Sequence, residues 1–262
     1  MTEFVYEPSE WAILSGYRGS QAHGTTIPPE ADDRFGTDDI DMMDVVVLPP
    51  GYYFGLETYG HSQGTKNVMN GPWDVVIYDV VKFVRLLCKG NPNVLTMLWL
   101  DDYDVLSEPA RLLIQSRGMF TMTQQTITAF MGYIAGQVSK MKSKPTDQAY
   151  MGERRRALAE EFGYDVKNAS HAIRLAHMLV DLLQTWKLIV NRTSNDADML
   201  IAIKRGQWTL GQVTEELEGT LDMARALERE IIAAKSWPER VDTTEASRLC
   251  QKVVWQAWAD RL

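Results

Sequence analysis

The sequence is poor in cysteine, with only Cys88 and Cys250 among 262 residues. Both sit in apolar, helix-like surroundings, and two thiols are too few for a disulfide framework or a zinc cluster, so a reducing compartment fits best. No stretch approaches the roughly 20 apolar residues of a membrane span. The first ten residues, Met1 to Glu10, are acidic and lack the apolar core of a secretion signal. A cytoplasmic chain with no membrane partner is therefore expected. Basic residues are also in deficit, 27 Lys and Arg against 35 Asp and Glu for a net charge of −8. That balance excludes a protein that coats duplex nucleic acid nonspecifically. Internal repeats and low-complexity tracts are missing as well. What is present, 45% hydrophobic and 24% charged residues, describes a globular chain long enough for one large domain or two small ones.

The texture changes near residue 80. Before it, short β-prone runs alternate with turn-rich segments. Trp11 to Tyr17 reads as a strand running into a tight turn at Arg18-Gly19-Ser20, with a short helix at Gln21 to Gly24. A long loop with Pro28, Pro29, three acids and Gly36 leads to an apolar strand, Ile40 to Leu48, which has Asp39, Asp41 and Asp44 at its front. Residues 51–72 are rich in glycine and show no period, so they read as a long surface connection. Trp73 to Tyr78, short and β-branched, is the third strand.

From Val80 the apolar period switches from about 2 to about 3.6. Helices are expected over 80–88, 94–100, 108–117, 124–142, 149–162, 166–190, 196–204, 210–235 and 243–260, with Asn93 able to cap the second of them. The fold class is α+β: a small mixed-sheet domain over 1–115, then a helical domain over 116–262. The broad apolar faces after residue 196 could close that domain's own core or make an oligomer.

The chemistry begins with Asp39-Ile40-Asp41. On a strand these carboxylates project from one face, roughly 7 Å apart at Cα. Their repulsion must be offset by a hard divalent cation, by basic neighbours or by open solvent. Mg²⁺ (or Mn²⁺) favours one or two carboxylates plus substrate phosphates, which such a strand end can present. Asp74 would close a three-carboxylate cluster if its strand lies alongside. Alone, Asp-x-Asp is more often a pair of solvated turn residues. Gly19-Ser20, leaving a buried strand and opening a helix, offers backbone N–H groups and a hydroxyl to phosphate oxygens.

The order Gly19-Ser20, Asp39-Ile40-Asp41, Asp74 resembles the nucleotidyltransferases of the DNA polymerase β superfamily. More of the chain resembles one branch, the predicted nucleotidyltransferases tied to bacterial RNA-repair pathways and also found in phages. The matching motifs are Gly16-Tyr17-Arg18-Gly19-Ser20-Gln21-Ala22-His23-Gly24, Lys82-Phe83-Val84-Arg85-Leu86-Leu87, Gly90-Asn91-Pro92-Asn93-Val94-Leu95 and the run from Gly163 to Leu175. The resemblance covers about residues 11–220 and is thin over 51–72 and after 185. Two departures stand out: an apparent insertion at Ile27 to Arg34, and Thr96 where the family pattern has a glutamate.

The resemblance implies a polymerase β-like palm in the first domain, with Asp39, Asp41 and Asp74 as catalytic and metal-holding residues. It implies an NTP substrate gripped by Gly19 and Ser20, with His23 either approaching the phosphates or capping the turn. Asp74 serves either as a shared metal ligand or as general base. On the helix after Tyr164, the residues Tyr164, Lys167, His171 and Arg174 share an arc of roughly 80°. Lys167, His171 and Arg174 are the nucleotide-binding residues expected there, against the alternatives of a solvated polar face and, for His171, a buried carbonyl partner. A second basic run, Lys140, Lys142, Lys144, Arg154, Arg155 and Arg156 around Pro145, suits either steering of an RNA end or simple solubility. The tryptophans default to packing.

The activity so implied is transfer of a nucleoside monophosphate from an NTP to an acceptor hydroxyl, with an RNA 3′ end (tRNA included) as acceptor. Nucleotidylation of a small cationic molecule or of a protein hydroxyl is the alternative, and a catalytically silent nucleotide- or RNA-binding module is a third reading.

Overall fold

A computed structural model describes residues 6–29, 34–36, 39–60, 64–143 and 152–261. The chain divides into two compact units. One comprises Met1–Ala22, Asp38–Thr126 and Glu239–Leu262; the other comprises His23–Thr37 and Ile127–Pro238. The fold is α+β, as expected, but these bounds are interleaved and do not follow a single cut after residue 115.

The first unit is built on five strands: β1 (Ala12–Tyr17), β2 (Ile40–Val46), β3 (Thr65–Asn70), β4 (Trp73–Asp79) and β5 (Val105–Leu106). Their order is β3-β4-β2-β1-β5. Only β2 and β4 run parallel; the other neighbours are antiparallel. One face of the sheet buries Met42, Val46, Val75 and Ile77 with Leu48, and Tyr6, Trp11, Tyr53, Val68 and Trp73 pack against them. Alternation along the strands forces this, because residues two apart share a face.

Two of the strands are absent from the sequence reading. Strand β3 lies in the supposed surface connection 51–72, together with a short helix. It is an edge strand with mostly exposed side chains, so no apolar alternation betrays it. A two-residue turn joins it to β4, and Gly71 there adopts φ 58°, a conformation glycine adopts without steric cost. Strand β5 has only two residues.

Twelve helices are described: α1 (Gly19–Ala22), α2 (Pro50–Phe54), α3 (Val80–Cys88), α4 (Pro92–Leu95), α5 (Glu108–Gln115), α6 (Arg117–Thr121), α7 (Gln124–Lys142), α8 (Glu153–Phe162), α9 (Val166–Thr185), α10 (Ala197–Lys204), α11 (Leu210–Ala233) and α12 (Thr243–Ala259). In the first unit Asp79 caps α3 by accepting from the N–H groups of Val81 and Lys82. Helix α4 starts earlier than expected. Its cap is Asn91, whose side chain accepts from Asn93 N–H, and Pro92 takes the first helical position, where a missing N–H costs nothing. Helix α12 belongs to this unit because its stripe Ala246, Cys250, Val253 and Ala257 is buried and Trp258 Nε1 donates to Leu48 O at 2.8 Å.

The second unit is organised around α9, whose buried residues include Ala169, Ala172, Ile173, Ala176, Leu179 and Leu183. Asp165 caps it. It stops at Thr185, short of the expected residue 190, because Trp186 turns into the left-handed region at φ 60°. Helices α10 and α11 bury Leu200, Ile203, Val213 and Leu217, whereas Met223 and Ile232 of α11 and Trp255 of α12 are exposed. The segment after α1 joins this unit through His23, whose Nδ1 meets Val190 O at 2.8 Å, and through Arg192 N–H, which donates to His23 O.

A polar network locks these helices. Arg192 is almost fully buried and pairs with Asp181 and with Asp196, the latter at 2.6 Å. Asp196 also meets His177 Nδ1, and His177 Nε2 lies 2.9 Å from Glu216. Burial opposes a charge on His177, but hydrogen bonds to Asp196 and Glu216 outweigh it and raise the imidazole above its ordinary value. A raised folded-state value means the stabilisation is complete below about pH 6.5 and is lost as pH rises through the raised pKa. The melting temperature of the wild type should therefore fall with rising pH across that window, and His177→Gln should flatten the fall. An unchanged slope in the variant would contradict the pairing.

Candidate active site

The end of β1 delivers Arg18 and Gly19 directly against the start of β2. Arg18 N–H donates to Asp41 O at 3.0 Å, and Gln21 Nε2 donates to Asp39 O at 2.9 Å. Gly19 is held at φ 62°, and a Cβ added there would stand 2.4 Å from Asp41 Oδ2. Only glycine meets both demands, because L residues resist the left-handed region and the carboxylate fills the space a side chain needs. Ser20 follows in the first turn of α1, half-buried.

The parallel register pairs Asp41 with Asp74 across β2 and β4, so the two carboxylates stand side by side on one face. Between them lies Arg18, whose Nη2 is 3.1 Å from Asp41 Oδ1 and 3.0 Å from Asp74 Oδ2. Its Nε donates to Met42 O at 3.1 Å. All three side chains are about one-third exposed. The repulsion between the acids is thus offset by a basic neighbour. Arg18 lies inside a quoted motif, yet its role escapes sequence reasoning because pairing across three strands leaves no local signal.

Asp39 stands two residues before Asp41, exposed at the mouth of the strand. Asp44 differs in kind. It points to the opposite face, is 1% exposed, and accepts from Ser15 Oγ at 2.7 Å, from Ser9 N–H at 3.0 Å and from Tyr6 OH. It is a structural acid.

Among the described residues no three His, Cys, Asp or Glu side chains come together as a ready metal cage. The donor set nonetheless suits a cation: Asp41 and Asp74 already share one, the guanidinium of Arg18, and paired carboxylates are what a hard divalent ion takes from a protein.

The second unit places the remaining expected residues by itself. His23 is 4% exposed with Nδ1 committed to Val190 O, which is the carbonyl-satisfying arrangement. Tyr164 is buried and donates to Trp208 O at 2.6 Å. On α9, Lys167 is exposed, His171 is half-buried and Arg174 is only 8% exposed. The predicted stripe is therefore graded from solvent to interior rather than lying flat on a rim. Burial, with Lys167, Lys204, Arg155 and Lys140 nearby, pushes His171 down to about 3, so its imidazole is neutral.

The second basic run is partly consumed by the fold. Arg155 pairs with buried Asp165 at 2.7 Å, and Arg154 donates to the carbonyls of Arg34 and Gly36. Lys140 and Lys142 are exposed. Lys144 and Pro145 lie outside the described residues, as do 30–33 of the expected insertion. Thr96 is buried, and its hydroxyl donates to Asn93 O in a one-turn helix at 96–98. Trp237 is buried as expected, whereas Trp255 and Trp186 are largely exposed.

Gly19→Ala should cost about 10²-fold in any activity that uses Asp41, because the added Cβ displaces the carboxylate by an ångström or so. Steady-state rates with the variant test this, and a rate within twofold of wild type would show that the contact is unimportant.

No curated protein matches the chain. A family model does, over residues 11–252, and its description is RlaP, RNA repair pathway DNA polymerase beta family. Polymerase β-like nucleotidyltransferases generally use divalent metal ions and an NTP. With nearly the whole sequence matched, and with a Gly-Ser turn set against paired strand-end aspartates on a mixed sheet, the chain belongs to the RlaP family of RNA repair pathway DNA polymerase β-like proteins.

Proposed function

We propose that this protein transfers a nucleoside monophosphate from an NTP to the 3′ hydroxyl of an RNA. The observation that carries the reading is the register of Asp41 against Asp74, with the Gly19 backbone pressed on the Asp41 carboxylate. It supports the reading by setting two strand-end acids beside the Gly19-Ser20 turn.

In this reading Asp39, Asp41 and Asp74 hold Mg²⁺ or Mn²⁺. When bound, the divalent ions supply charge neutralisation for the triphosphate and acidify the attacking hydroxyl. Gly19 N–H and the Ser20 hydroxyl donate to phosphate oxygens. Asp74, about one-third exposed, is positioned to accept the hydroxyl proton, directly or as a metal ligand. Pyrophosphate is the leaving group. Arg18 keeps Asp41 and Asp74 oriented before the substrate arrives and must yield part of its hold when another cation enters. Lys167 and Arg174 of the second unit are assigned to phosphate by the motif they share, with His171 beside them as a neutral hydrogen-bonding group.

RNA as acceptor is tested by supplying α-labelled NTP, Mg²⁺ and small RNA, either intact or periodate-oxidised at the 3′ cis-diol. Label in intact RNA alone is the expected result. Label that enters an added cationic small molecule or the protein, and never RNA, would replace the acceptor.

A further inference from the structure

Arg174 sits where an arginine should not be left alone. It is 8% exposed, and its Nε is buried with no hydrogen-bond partner among the described residues. The acid that acts on it, Asp196, is occupied, one oxygen by Arg192 and the other by His177. Arg192 adds a second positive charge close by, and burial together with Arg192 pushes Arg174 down to about 10. A buried charge without a partner is costly enough that proteins keep one mainly where a partner arrives from outside.

Lys204, the last residue of α10, is a half-buried cation with only neutral hydrogen-bond partners among the described residues. Its Nζ donates to Thr25 O at 2.6 Å and to Thr25 Oγ1 at 3.0 Å, both uncharged. Burial, then Arg174 and Lys167, push its ammonium down to about 7. Ser170 Oγ donates to Leu200 O at 3.1 Å, one turn before Arg174 on α9 and one turn before Lys204 on α10, so the two helices are stapled beside both cations. Lys204 lies outside every motif that carries the family resemblance.

We propose that Arg174 and Lys204 form an anion site within the second unit, with Lys167 and His171 at its margin, and that it takes a terminal phosphate group without needing a metal ion. The proposal rests on the reading that Arg174 meets phosphate, and deepens it by adding Lys204 and by making the site metal-independent. An arginine fork plus a lysine point charge matches a doubly charged phosphate oxygen set, and a neutral imidazole N–H adds a donor without further repulsion. Such a group is found on the end of a triphosphate and on a phosphorylated RNA end.

Binding to the full chain in EDTA separates these sources. The probes are inorganic tripolyphosphate, a 5′-phosphorylated oligoribonucleotide and the same oligonucleotide without its phosphate. At least one phosphate probe should bind, and Arg174→Gln and Lys204→Met should each weaken it by about 10- to 100-fold. Loss confined to tripolyphosphate assigns the site to a triphosphate tail; loss confined to the phosphorylated oligonucleotide assigns it to an RNA end. Binding that ignores both substitutions overturns the proposal. So does no binding in EDTA while Mg²⁺-dependent labelling of RNA persists, a result that leaves the transferase reading intact. Sensitive phosphate binding without any nucleotide transfer would have the opposite meaning.

Discussion

Asp41→Asn should lower nucleotidyl transfer by about 10³-fold while leaving the sheet unit folded. In the proposed function the carboxylate would hold a divalent cation, and such an ion contributes several kcal/mol of transition-state charge stabilisation, about 4 kcal/mol for three decades of rate. Asparagine keeps the shape and the strand propensity but loses the charge. The structural loss is small by comparison. The Arg18–Asp41 pair spans 3.1 Å with both side chains about one-third exposed, and ion pairs of that kind contribute roughly 0–1 kcal/mol. Activity and stability should therefore separate: single-turnover rates collapse, while the melting temperature moves by no more than a few degrees. A variant that retains a tenth of the wild-type rate would remove Asp41 from the chemistry.

The second large effect concerns the helical unit. Arg192→Met should destabilise it by about 3–5 kcal/mol, the range for breaking a buried ion pair from one side. Arg192 is 2% exposed and is the shared partner of Asp181 and Asp196. Methionine can replace its packing but leaves both carboxylates without their cation in a region with little water. Asp196 retains His177, and hydrogen bonds to His177 and Arg192 outweigh burial in holding it below the usual carboxylate range. Replacing Arg192 and Asp196 together by apolar residues should recover only part of the loss, since Asp181 still lacks its cation. Urea unfolding of the single and double variants measures this, and a single-variant loss under 1 kcal/mol would show the network to be ornamental.

How much of this was legible depends on where each signal lives. Strands β1, β2 and β4 are apolar and β-branched, so their pattern announces them. The edge strand β3 buries little and reads as loop. The Asp41–Asp74 neighbourhood could be expected from the family order Gly-Ser, Asp-x-Asp, Asp, but the bridging guanidinium of Arg18 depends on strand register, which one-dimensional spacing does not encode. The helical motif announced Lys167, His171 and Arg174 as one stripe. Their grading from solvent to interior follows from how α10 and α11 pack on α9, contacts made by residues distant in sequence. Lys204 was invisible for that reason: it becomes a neighbour of Thr25 and Arg174 only when α10 docks. The interleaved units have the same origin. Helix α12 looks like the continuation of a helical domain, yet its buried stripe and Trp258 belong with the sheet unit.

The central claim is metal-dependent nucleotidyl transfer by the aspartates of the sheet. It is tested most directly by incubating the full chain with small RNA, Mg²⁺ or Mn²⁺ and each α-labelled NTP in turn, beside an Asp39→Asn/Asp41→Asn double variant. Label entering RNA with the wild type, requiring the metal and disappearing in the double variant, is the result expected. Label that persists in the double variant, or a wild type that neither binds nor transfers any NTP, would contradict it.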